Sequence, residues 1–243
     1  MKRVQDIAEW GLVVFGKPAR FDRYFGDRLV RVVNNDRDNP GFGEAGHNRQ
    51  FEFGGYLEVM EGFETEGPYV VANDTLFGHH HTGAWLYLID TIAKGMMEEP
   101  KGLCVIGDIR RDGSGIPERP DPFMASWLFV IPNRAILEAF KACLRAVLER
   151  EVPAVFSPSY EAFLNAWLKT KSIWSGWQGR TTEVNVMRKR RCIYWEHALS
   201  KELVLAGVDL ISAGRYHRGL YAGIRVYDRL WNRWKALKSF QLK

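Results

Sequence analysis

An α/β fold, a mostly parallel sheet flanked by helices with a helical C-terminal part, is what the hydrophobic pattern of this chain predicts. Two observations carry the prediction. Short apolar runs stop abruptly at Gly, Pro, Asn or Asp, as buried strands do, and stretches of helical period lie between them. A third observation, the absence of any internal repeat, low-complexity run or Ser/Gly linker, argues against a solenoid or a string of modules.

The first strand is Leu12-Val-Val-Phe15, ended by Gly16-Lys-Pro18; the second is Leu29 to Val33, ended by Asn34-Asn35. Phe51, Leu57, Met60 and Phe63 fit one helix face, and Tyr69 to Ala72 is a third strand stopping at Asn73-Asp74. Strand, loop, strand, helix, strand is the layout of a sheet with crossover helices. A helix over about 83–98 carries Trp85, Leu88, Ile89, Ile92 and Met96 on one stripe. Leu103 to Ile106 is a fourth strand. The polar stretch from Arg110 to Pro122, with Pro117, Pro120 and Pro122, reads as a loop, and Trp127 to Ile131 as a fifth strand. Helices are expected over 134–150, 158–171 and 197–206, which makes a sheet half followed by a helical half.

The 243 residues are 46% hydrophobic and 26% charged, a globular balance. No run of about 18 apolar residues is present, so a spanning helix is not expected, and the first ten residues lack a signal-peptide apolar core. Cys104, Cys143 and Cys192 are far apart without a CxxC spacing; they read as ordinary core in a reducing, cytoplasmic setting rather than as a disulfide or zinc framework. The net charge of +5 is uneven: residues 215–243 hold eight Lys/Arg against one acid, Asp228, while the rest is slightly acidic. A basic face for nucleic acid spread over the whole domain is thereby excluded.

In open α/β sheets, ligands sit beyond the carboxyl ends of the strands. Three strands here end in Phe15-Gly-Lys-Pro18, Asn34-Asn-Asp36 and Asn73-Asp-Thr75. Such side chains either form turns or hold ribose, base and metal, and three at one edge favour a ligand cleft. Gly41-Phe-Gly-Glu-Ala-Gly46 matches the GxGxxG pattern of dinucleotide-binding folds, a dehydrogenase signature, but Asp36 to Pro40 separate it from the strand and no acid ends a strand about 20 residues later.

The longer string Val32-Val-Asn-Asn-Asp-Arg-Asp-Asn-Pro-Gly-Phe-Gly-Glu-Ala-Gly-His-Asn-Arg-Gln-Phe-Glu52 resembles the nucleotide-sugar segment of GT-A glycosyltransferases, especially the bacterial rhamnosyl- and galactofuranosyltransferase-like branch. Tyr69 to Phe77 stands where those enzymes carry their metal-binding acidic motif. Ala125 to Arg134 resembles their acceptor-side strand, and Ser159 to Trp167 the segment with their acidic pair. The resemblance covers roughly 11–205 and implies a GT-A-like, Rossmann-related sheet.

It also implies roles. Phe15, Asn34, Asn35, Asp36, Asn39, Asn48, Arg49, Asn73 and Asp74 take the places of nucleotide-sugar contacts, although Arg49 reads equally as a solvated helix residue. Asp74 matches the aspartate that holds a divalent cation, Mn²⁺ or Mg²⁺, but Asn73-Asp-Thr75 supplies one carboxylate where the family has Asp-x-Asp. His197 in Tyr194-Trp-Glu-His197 is a candidate second ligand or a helix-capping side chain. Inverting transfer needs a carboxylate base; Glu161 stands at the acidic pair, with Asp121 as the fallback, and Glu161 is also a plausible first-turn helix acid. His79-His-His81 reads as loop.

From Leu220 the apolar residues Leu220, Ile224, Tyr227, Trp231 and Trp234 form one helical stripe among arginines. Such a basic amphipathic helix suits an anionic membrane surface, or packs on its own domain or on a second copy in a homodimer. The chain thus reads as a GT-A-like domain over 1–214 and a basic helix over 215–243. The function implied is sugar transfer from a nucleotide-sugar donor to a glycan or lipid-linked acceptor in bacterial surface polysaccharide synthesis, on the inner face of the membrane, with no nucleic-acid partner. The other reading is a catalytically silent GT-A-like binding or scaffold subunit.

Overall fold

The computed structural model describes residues 9–14, 29–34, 44–45, 51–73, 75–98, 102–111, 113–169 and 182–241. The described elements run β1 (Glu9–Val14), β2 (Leu29–Asn34), β3 (Glu44–Ala45), α1 (Phe51–Glu61), β4 (Tyr69–Asn73), α2 (Thr75–His79) and α3 (Thr82–Glu98). They continue through β5 (Cys104–Arg110), β6 (Phe123–Ile131), α4 (Arg134–Glu149), α5 (Pro158–Lys169), α6 (Glu183–Leu205), β7 (Asp209–Ser212) and α7 (Arg218–Gln241). The protein is α/β, with a seven-stranded mixed sheet in the order β3-β2-β1-β4-β6-β5-β7. β6 runs antiparallel to both its neighbours; the other four pairings are parallel.

β4 and β6 form the middle of the sheet and are buried along their whole length, so their side chains alternate between two cores. Tyr69, Val71, Phe129 and Ile131 face a core covered by α1, α4 and α6. Val70, Ala72, Ala125 and Val130 face a second core covered by α3 and by the start of α7. α4 shows why a helix forms where it does. Asn133 caps it by accepting a hydrogen bond from the Ile136 amide at 3.1 Å. Ile136, Leu137, Phe140, Cys143, Leu144, Val147 and Leu148 then recur at the three- and four-residue spacing that buries one face. α5 packs through Tyr160, Leu164 and Leu168 on Ile193 of α6 in a third, smaller cluster. All three cysteines are buried free thiols.

Several elements depart from the sequence reading: β1 spans Glu9–Val14 rather than Leu12 to Phe15, and the short β3 and α2 were not expected. β6 begins at Phe123, four residues before the expected Trp127. α6 begins at Glu183 rather than near 197, because its first turns are rich in Lys and Arg and carry no apolar stripe. The C-terminal half is not wholly helical: β7 returns to the sheet and pairs with β5, Leu210 against Val105. With only Leu210 and Ile211 apolar in four residues, β7 is too short for periodicity to reveal.

β1 is flanked by β2 on one side and β4 on the other, so the strand order reverses between β1 and β4. In sheets of this kind, ligands bind beyond the carboxyl ends of the strands at such a reversal. The register is close to level there, with Val14 opposite Asn34 and Val13 opposite Asn73.

Candidate functional site

At this edge the structure brings Asn34 and Asn73 to strand ends separated by one strand, about 10 Å apart at the usual strand spacing. Asn73 is 6% exposed, and both ends of its amide are engaged. Its Oδ1 accepts from the Thr75 amide at 3.0 Å, bending the chain after β4, and its Nδ2 donates to the Tyr56 hydroxyl at 2.8 Å. Tyr56, on α1, donates in turn to the Ser126 carbonyl of β6 at 2.7 Å. The side chain of Asn73 therefore links the end of β4 to the start of α2 and, through Tyr56, to α1 and β6.

The same Ser126 clamps a carboxylate. Its amide and its hydroxyl both donate to Oε2 of Glu196, at 2.9 and 2.8 Å. Among the described residues, Oε1 of Glu196 receives no hydrogen bond, so one oxygen is held and the other is available. Glu196 belongs to a polar stripe on α6 formed by Lys189, Cys192, Glu196 and Ser200, at spacings of three, four and four. Ser200 anchors the stripe to β6 by accepting from the Met124 amide at 3.0 Å and donating to the Glu196 carbonyl at 2.8 Å. Cys192 donates to Glu52, at the start of α1, at 3.3 Å. The two carboxylates set the local electrostatics. Burial pushes the Tyr56 hydroxyl and the Cys192 thiol well up, with Glu52 and Glu196 adding to both, so both stay protonated donors. Burial works against the Lys189 ammonium, but the Glu52 and Glu196 carboxylates outweigh it and hold the lysine charged.

The expected residues of the acceptor side form a wall beside this stripe. His197, next to Glu196, is 1% exposed, with Nδ1 2.8 Å from the Tyr160 hydroxyl and the rings of Phe123 and Phe163 around it. Glu161 follows Tyr160 on α5 and is ion-paired with Arg190 of α6. Asp121, two residues before Phe123, accepts from the Gly113 amide at 2.7 Å and closes the loop between β5 and β6. Glu118 in that loop takes the Ser157 amide and hydroxyl at 2.8 and 2.7 Å, and Arg119 lies over Phe123 and Phe163. Phe15, Asn35, Asp36, Asn39, Asn48, Arg49 and Asp74 lie outside the described residues.

A divalent cation is held by oxygen ligands, usually carboxylates. Among the described residues no group of three His, Cys, Asp or Glu side chains converges as a metal site would need. His197 offers a nitrogen that is buried in an aromatic box. The described side chains therefore do not make up a cation site by themselves.

The residues that sequence reasoning missed, Glu52, Tyr56, Ser126, Lys189 and Glu196, are joined across 70 residues or more wherever α1 or α6 meets β6. A signal was present in the Lys189-Cys192-Glu196-Ser200 spacing, which puts four polar or thiol groups on one helical face. Matched against protein-family models, curated proteins and solved structures, the chain finds no relative in any of the three.

Proposed function

We propose that the protein transfers a sugar from a nucleoside-diphosphate sugar to a hydroxyl of a glycan or lipid-linked acceptor, with inversion at the anomeric carbon. The observation that supports this reading most is the half-clamped Glu196, linked through Ser126 and Tyr56 to the end of β4, where the strand order reverses. A nucleotide diphosphate at that reversal would lie along the ends of β1, β2 and β4, and the GT-A resemblance of the Asn34 to Glu52 segment agrees with that placement. Glu196 Oε1 takes the proton of the acceptor hydroxyl as its oxygen attacks the anomeric carbon. The bond from that carbon to the diphosphate oxygen breaks, and its electron pair leaves with the nucleoside diphosphate. Ser126 keeps the other carboxylate oxygen in place, and Lys189 adds a positive charge to the same α6 face. Glu161 is ion-paired with Arg190 and Asp121 accepts from the Gly113 amide; Glu196 takes precedence as the base because Ser126 and Tyr56 link it to Asn73 at the end of β4. A Mn²⁺ or Mg²⁺ ion at Asp74 belongs to the reading through the resemblance; its chemistry would be to neutralise charge on the leaving diphosphate.

The test is a thermal-shift panel of UDP, dTDP, GDP, CDP, CMP and NAD(P), each with and without Mn²⁺, followed by donor turnover. A metal-dependent rise in melting temperature with one nucleoside diphosphate, lost in Asp74→Ala, together with turnover lost in Glu196→Gln, is the expected result. Shifts with NAD(P) alone overturn the reading. Nucleotide binding without any turnover favours a silent binding subunit instead.

A further inference from the structure

We propose that α7 seats the protein on an anionic lipid surface through an apolar face distinct from the one that packs on the domain. The inner side of the helix is fully committed. Ile224 is 4% exposed in the second core, with Leu220 and Tyr221 beside it. Tyr221 and Arg225 hold Asp108 of β5 at 2.6 and 2.7 Å. Asp228 accepts from the Trp85 indole at 2.9 Å and the His81 amide at 2.7 Å, and lies 2.7 Å from His80 Nδ1; Asn232 donates to the His79 carbonyl at 2.8 Å. α7 is thus fixed at four successive turns.

The outer side is apolar as well. Val226, Tyr227, Leu230 and Trp234 are 55, 45, 57 and 45% exposed. Val226, Leu230 and Trp234 repeat every four residues, and Tyr227 borders them. Trp231 lies between this row and the domain, stacked on Tyr227 and Trp234 at centroid distances of 6.4 and 5.0 Å. Tyr227 also meets His81 of the domain edge-to-face at 4.7 Å, so the row most exposed on this docked helix is Val226 and Leu230 with the outer part of Trp234.

Charge selects the partner. The sole acid between 218 and 241 is Asp228, and it points inward. Arg218 and Arg229 are exposed on the outward half, so that half carries positive charge without an acid to offset it. An isologous contact with a second copy would bring two such uncompensated positive faces together. A bilayer with anionic headgroups meets both requirements, since the aromatic and aliphatic groups enter the interface while the arginines face phosphates. Among the described residues no helix is long and apolar enough to cross a membrane, so the contact lies along the surface.

The inference does not rest on sugar transfer, and its test needs no substrate. The full chain is sedimented with vesicles of phosphatidylcholine alone and with vesicles also containing phosphatidylglycerol, at low and high salt. The expected result is binding to the anionic vesicles at least about tenfold tighter than to the neutral ones, weakened by salt. Leu230→Glu with Trp234→Glu should abolish it, whereas Val155→Glu, at an exposed apolar position elsewhere, should leave it intact. Unchanged unfolding midpoints would show that the variants fold. Equal binding to both vesicle types, no binding, or binding insensitive to the double variant overturns the proposal. So does a dimer detected by light scattering that dissociates in Leu230→Glu, which would assign the face to a second copy.

Discussion

The two faces of the sheet hold their carboxylates differently: two are buried on one face, and Glu196 is half-buried on the other. On the α3/α7 face, Asp108 and Asp228 are 2 and 4% exposed, and donors surround them: Tyr221, Arg225 and Arg110 for the first, and Trp85, His80 and the His81 amide for the second. Burial alone would push both carboxyl groups up. The guanidinium groups and hydrogen bonds more than offset this for Asp108, as the His80, Trp85 and His81 contacts do for Asp228, so both are held below the usual carboxylate range. The Tyr221 hydroxyl, pushed up to about 12 by burial and Asp108, remains a donor throughout. On the α1/α6 face, Glu196 is anchored at one oxygen only. A carboxylate saturated with donors is a structural fastener; one with an oxygen left over can do chemistry, and this contrast separates the α7 lock from the candidate site.

Five substitutions test the contrast. Glu196→Gln should reduce transfer about 10²–10⁴-fold, the usual worth of a general base, with little change in unfolding free energy. Turnover kinetics beside urea melts would read both, and a large stability loss with turnover intact would make Glu196 a fastener too. Asp228→Asn should do the reverse. It leaves three donors poorly matched and should cost about 3 kcal/mol in urea unfolding. The same residue has a pH signature. Because its folded value lies below the unfolded one, the stability it supplies is complete above about pH 4 and is lost as the pH falls through the folded value. The acid limb of the stability curve should therefore flatten in Asp228→Asn and again in Asp108→Asn.

Tyr56→Phe comes next. It strips Asn73 Nδ2 of its acceptor and the Ser126 carbonyl of its donor, which should cost about 2 kcal/mol and weaken nucleotide binding through the turn after β4. Glu161→Gln should have the smallest effect. Its pair with Arg190 is partly exposed, and such pairs contribute about 0–1 kcal/mol. Unfolding melts would measure that cost. A turnover loss equal to that of Glu196→Gln would move the base to Glu161.

The sheet was legible in the sequence where apolar runs are long and bounded. β2 and β4 start where Leu29 and Tyr69 predict, and α3 and α4 match their stripes within a residue. Legibility failed where burial is polar. The inward face of early α6 carries Lys189 and Cys192 rather than leucines, so no moment marks it, and β7 is recognised only by its pairing with β5. The site suffered most. Asn73 was found because it ends a strand, but Glu196 is recognisable only when Ser126 is known to lie against it, and no local pattern encodes a contact across 70 residues. Of the His79-His-His81 segment, read as loop, His79 ends α2 and only His80 and His81 stand between α2 and α3, where His80 is stacked on Trp127 at 3.7 Å and bonded to Asp228.

The placement of β7 and α7 also bears on how the polypeptide acquires its structure during synthesis. β5 emerges about a hundred residues before β7, which covers its outer edge, and before Tyr221 and Arg225, which neutralise Asp108. Until then a growing chain presents an unpaired strand edge and an Asp108 carboxylate that has Arg110 but neither donor from α7. The α3 side of the sheet therefore matures last, after the final helix has left the ribosome, and this interval is when the nascent protein most needs shielding from aggregation.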